Sequence, residues 1–121
     1  MVNSRAVTTA TVIGTVLQLA MVLAGHSNAS IAAMFAVGGM GISLVAGVIY
    51  AAQARGGSAG SAAIGGLIAG GVCALIGIVV SYALGDVTAL ILVAGTLSSA
   101  VTGAIGGLVG RLAFSGARSV A

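Results

Sequence analysis

The chain has 121 residues, of which 60% are hydrophobic and only 4% charged, with 21 glycines and no proline. A soluble domain carries about 25% charged residues, so four arginines and one aspartate argue against a water-soluble globule. The net charge of +3 is dispersed along the chain, unlike a nucleic-acid footprint, which gathers basic residues on one face.

A helix that crosses a bilayer takes roughly 20 mainly apolar residues. Four such segments are predicted, and the first covers residues 6–25. It follows Arg5 and ends at the turn-like His26-Ser27-Asn28-Ala29. A basic start and small residues at 27–29 also fit a secretory signal, but the apolar run exceeds the usual signal core of about 7–15 residues. A retained span is therefore expected. The triplet Asn28-Ala29-Ser30 matches a glycosylation acceptor, yet it lies so close to the span that it reads as an ordinary loop. Gln18 is the most polar side chain deep in a span. It is expected to hydrogen-bond a neighbouring helix, an interaction of about 0.6 kcal/mol. The alternative is a polar path shared with Thr11, Thr15, Ser43, Ser98, Ser99 and Thr102. Against that path, hydroxyls in helices bond the carbonyl four residues back.

The second span, residues 30–52, carries Gly39, Ser43, Gly47 and Ala51 at every fourth position. A Gly- and Ser-containing connection with Arg55 separates it from the third span, residues 61–85. There Gly65, Ala69, Cys73, Gly77, Ser81 and Gly85 form one small-residue stripe, and Gly66, Gly70 and Ala74 form a second beside it. Asp86 alone separates this segment from the fourth span, residues 87–112. The fourth repeats the device with Gly95, Ser99, Gly103 and Gly107, flanked by Thr102, Gly106 and Gly110.

Residues four apart share a helix face, so each stripe is a smooth groove. Lipid tails are as apolar as leucine, so burying leucine does not draw helices together in a membrane. Small residues instead let backbones approach and gain dispersion contacts and Cα–H···O bonds. The bilayer also forces the backbone to satisfy its hydrogen bonds internally, which lessens the glycine penalty. The expected fold is an all-α integral membrane protein. It is a single transmembrane domain over residues 1–121, a compact antiparallel bundle of four helices packed through small-xxx-small grooves of Gly, Ala and Ser. One small face of the third span suits a helix of the same chain. The other suits a second subunit, although a single-chain bundle would use both.

If the four spans alternate, Arg5, Arg55, Arg111 and Arg118 fall on one side and His26 and Asp86 on the other. The positive-inside rule then places both termini and the middle loop in the cytoplasm. The arginines would sit at the lipid headgroups. Tyr50, Tyr82, Phe35 and Phe114 lie near span ends, as a sparse aromatic belt would. The Ala/Gly/Val-rich, lysine-free composition points to a bacterial inner membrane. At an offset of 60 residues, Gly25-His26 lies over Gly85-Asp86 and Gly47 over Gly107, a faint sign that the two helix pairs are repeats.

The central membrane holds no ionisable side chain. His26 and Asp86 could meet at one end of the bundle, but the pair lacks a nucleophile and a third metal ligand. One histidine is too little to predict a haem or pigment. Cys73 reads as a small buried hydrophobe. No catalytic residue, metal or cofactor is expected. The first functional expectation is a structural or accessory subunit packed in a homo- or hetero-oligomeric membrane assembly. Its partners would be the bilayer, copies of itself or other membrane subunits, and no nucleic acid. The alternatives are a small oligomeric channel or transporter lined by hydroxyls and backbone, and a holin- or bacteriocin-like membrane-active factor.

Overall fold

The computed structural model describes residues 2–120 and the side chains of residues 2–114. Helix α1 (Ser4–His26) starts where the Asn3 side chain accepts the Ala6 N–H at 3.0 Å. An Asn in this capping position satisfies one of the otherwise unpaired amides of the first turn. A single turn, α2 (Ala29–Ala32), precedes α3 (Phe35–Gln53). The continuous span expected over residues 30–52 is therefore broken at Ala33–Met34. The cause is local: Asn28 Oδ1 accepts the N–H groups of Ser30 and Ile31 and starts a separate turn, which the Met34 N–H closes on the Ile31 carbonyl.

Helix α4 (Ala59–Ala83) starts on Ser58, whose Oγ accepts the Ser61 N–H at 3.1 Å. Its end is fixed by two reversed bonds, Gly85 N–H to the Tyr82 carbonyl and Asp86 N–H to the Ser81 carbonyl. This closure needs a left-handed residue just past the helix, and Gly85 supplies it at φ +81°. Gly85 therefore does not extend the small-residue stripe, which stops at Ser81. Helix α5 (Ala89–Val120) starts on Thr88, whose Oγ1 accepts the Ile91 N–H. It runs past the expected end at residue 112, because neither proline nor a left-handed glycine interrupts it.

Among the described residues there is no strand. Four helices are long and apolar enough to cross a membrane: Ser4–His26, Phe35–Gln53, Ala59–Ala83 and Ala89–Phe114. Helices α3 and α4 each pack on the other three long helices. Helices α1 and α5 flank this pair without extensive contact with each other.

The interior is made of small side chains. Ala6, Ala10, Ala46, Ala62, Ala69 and Ala74 are buried, and Tyr50 and Gln18 are the largest fully buried side chains. Large aliphatics lie outside, among them Val16, Val37, Leu90, Leu97, Val101 and Leu112. A soluble core has the opposite arrangement.

The helices approach closely around Gly103 of α5. A Cβ there would come within 2.9 Å of Gly70 Cα and closer still to the Gly66 carbonyl oxygen. Gly47 of α3 likewise abuts the Gly103 carbonyl, and Gly107 abuts the Ala62 carbonyl. Three helices thus meet backbone to backbone. Gly41 of α3 is different, because a Cβ there meets nothing within 4 Å. Gly41→Ala is expected to leave stability unchanged or raise it by up to about 1 kcal/mol, measured as the midpoint of unfolding in a graded denaturing detergent.

Candidate functional site

A cavity of about 530 Å³ opens at the end of the molecule that holds His26 and Asp86. It lies between the starts of α3 and α5, with α1 and α4 behind. The helices close on one another around Gly103 and part toward this end. Most of the wall is apolar: Met21, Phe35, Met40, Ile78 and Ile91 contribute, together with the small residues Gly39, Ala74 and Gly95.

Gln18, only 1% exposed, lines the cavity from α1. Its side-chain amide donates to the Gly39 carbonyl at 3.0 Å and to Ser43 Oγ at 3.4 Å. Ser43 Oγ in turn donates to the Gly70 carbonyl at 3.1 Å, as does the Cys73 thiol at 3.3 Å. One glutamine therefore ties α1 to α3, and its serine partner ties α3 to α4. Gly77 makes room for this side chain, since a Cβ there would lie 2.9 Å from Gln18 Cβ.

Nearer the opening, His26 Nδ1 lies 2.8 Å from Asp86 Oδ2. The pair links the end of α1 to the connection after α4, and it joins the two residues that the 60-residue offset superposes. The two glycines beside them differ: Gly25 is helical and buried under the Phe35 ring, whereas Gly85 is the left-handed terminator. The His26 side chain is about half exposed. Exposed pairs of this kind contribute about 0–1 kcal/mol, so His26→Ala is expected to shift the detergent-unfolding midpoint by less than that amount.

Ser81 also lines the cavity, and its Oγ is buried without a hydrogen-bond partner. Thr11 and Thr15 Oγ1 are likewise buried without partners. Thr96 and Thr102 donate to carbonyls of their own helix four residues back. Of the polar path that the sequence offers, Ser43 bonds Gln18 and the Gly70 carbonyl, Gln18, Ser98 and Ser99 line the cavity, and Thr102 bonds its own helix.

The small-residue stripes take distinct neighbours. On α4, Gly65 lies under the Tyr50 ring, Ala69 is buried in the core, Cys73 meets Gly14, and Gly77 meets Gln18. The second α4 face, at Gly66 and Gly70, meets Gly103 and Ser99 of α5. On α5, Gly95 packs on Ile78 and Gly107 on Ala62. Both small faces of α4 are covered within one chain, so the second face carries no argument for another subunit.

The arginines gather at the opposite end from the cavity. Arg111 Nε donates to the Gly57 carbonyl at 3.1 Å, and Arg55 stacks 4.8 Å above the centre of the Phe114 ring. Arg5 is exposed in the first turn of α1. The Arg118 side chain lies outside those described. Tyr50 departs from the expected aromatic belt. It is fully buried, and its hydroxyl accepts the Asn3 N–H at 3.0 Å. Glycine at position 65 opens the hole its ring fills. Tyr82 is 48% exposed, in keeping with a belt position.

Sequence reasoning did not single out the cavity. Met21, Met40 and Ile78 carry no signal that separates a cavity wall from a lipid-facing surface. Among the described residues no group of three His, Cys, Asp or Glu side chains is placed to hold a metal. Compared with family models, curated proteins and solved structures, the chain matches none of them.

Proposed function

We propose that the protein is a membrane-embedded antiparallel bundle of four spans that serves as an accessory subunit of a larger membrane assembly. The observation that carries the membrane reading is the inverted interior, with Gly, Ala and Ser inside and large aliphatics outside. Water would penalise that exterior, whereas hydrocarbon accepts it and rewards close backbone packing. The arginine-bearing end faces the cytoplasm of a bacterial inner membrane, by the positive-inside rule, with both termini on that side. Arg5, Arg55, Arg111 and Arg118 then lie at the headgroup level.

An accessory role is favoured over a pore because Gln18 and Ser43 are spent on contacts between helices, and Thr96 and Thr102 on their own helix. Around Gly103, α3, α4 and α5 meet backbone to backbone, which supports a packing role at that level. The test is native mass spectrometry of the tagged protein, released gently from its host membrane. Stoichiometric co-extraction with larger membrane proteins is the expected result. A homo-oligomer that conducts ions in liposomes would overturn the accessory role in favour of a pore, and a lone monomer would overturn it as well. Orientation is checked with Cys73→Ala chains carrying Ser58→Cys or Ser27→Cys. An impermeant thiol reagent applied to right-side-out spheroplasts should label only the second.

A further inference from the structure

We propose that the cavity binds a single-chain alkylammonium amphiphile, with its ammonium at Asp86 and its chain along the apolar wall toward Gln18. The binding reading stands on the cavity itself and goes beyond the accessory role.

The polar groups of the opening select the head. Asp86 is the only acidic residue in the chain, and it lines the cavity. His26 engages Oδ2, and Oδ1 has no bond among the described residues. Ser81 stands beside it, because the Asp86 N–H bonds the Ser81 carbonyl at 3.0 Å. Its Oγ, in a side chain only 2% exposed, lacks any partner. An ammonium at the opening donates to Oδ1.

Charge excludes the other common heads. Arg55 and Arg111 are bound to groups at the far end of the molecule, and among the described residues no arginine lines the cavity to neutralise a carboxylate or phosphate. An alcohol would gain less from the carboxylate than a cation does. The walls suit an alkyl chain next to a cation. Met21 and Met40 offer polarisable thioethers and Phe35 an aromatic ring. The cavity extends along α5 to Ser99, ten residues past Ala89, or about 15 Å of helix. That is a slot for one chain. The volume of about 530 Å³ lies within the range of small-molecule sites.

The test is photoaffinity labelling of the whole chain in phosphatidylcholine nanodiscs with a diazirine-bearing alkylamine. Saturable labelling of the peptides containing Met40 and Ile78 is expected, competed by dodecylammonium but not by dodecanol or dodecanoate. Asp86→Asn should weaken labelling about tenfold. Ala94→Leu, which fills the wall from an exposed position, should abolish it. Equal competition by dodecanol would overturn recognition of the cation. Labelling unchanged in both variants, each checked for native helicity, would overturn the site. Loss of labelling in phosphatidylethanolamine nanodiscs would assign the slot to the lipid's own ammonium head and overturn binding of a free amine.

Discussion

Alanine at Gly103 is expected to destabilise the protein by about 3 kcal/mol, at the upper end of what one added methyl does in a packed interior. The size follows from what the methyl would meet. Its neighbours are the Gly66 carbonyl and Gly70 Cα, which are backbone atoms of α4 and cannot swing aside as a side chain can. The helices must separate instead, and the contacts at Gly47 and Gly107 loosen with them. The measurement is the unfolding midpoint in graded detergent, with Gly41→Ala as the matched control on a helix surface with open space. An unchanged midpoint for Gly103→Ala would remove backbone contact as the basis of the fold.

The second large effect is expected at Tyr50. Removing a fully buried aromatic ring by Tyr50→Ala is expected to cost about 3–5 kcal/mol, because the site lies among helices that cannot collapse into the space. Here the Asn3 N–H also loses its bond to the tyrosine hydroxyl. Gly65→Ala attacks the same contact from the other side, since its Cβ would enter the Tyr50 ring. The pair should be strongly non-additive. With Tyr50 already reduced to alanine, Gly65→Ala should cost little or even recover stability by refilling the hole. A double-mutant cycle reads this coupling, and additive losses would show that ring and glycine do not share one space.

Much of the fold is legible in the sequence because lipid-scale apolar runs are long and punctuated. The breaks at Asn28, Ser58 and Gly85 are hydrogen-bonding or left-handed positions, and the helices begin or end within a few residues of them. The four-residue spacing of α4 lies on its buried sides for the same reason: glycine permits approach wherever a neighbour comes. Less legible is which neighbour each glycine meets. Gly65 looks like Gly66 in sequence, yet one accommodates an aromatic ring of α3 and the other the backbone of α5. The sequence points Tyr50 to the interface, because aromatic residues near span ends usually lie there. Its burial depends on a glycine fifteen positions away that spacing alone does not pair with it. The cavity was hidden for a related reason. It arises where α3 and α5 part, and a parting of helices leaves no mark in a local pattern of apolar residues.

The small-residue interior also makes the protein's response to mutation one-directional. Apart from Tyr50, Gln18 and Val22, the buried positions are nearly all glycine, alanine, serine or a lone cysteine. Trimming them further removes at most a few atoms, so the familiar damage of hollowing a core is largely unavailable to this chain. Enlarging them pushes on a neighbouring main chain. Random mutagenesis should therefore find its damaging changes among gains of volume at the helix contacts, while exchanges among aliphatic residues on the outside pass almost unnoticed.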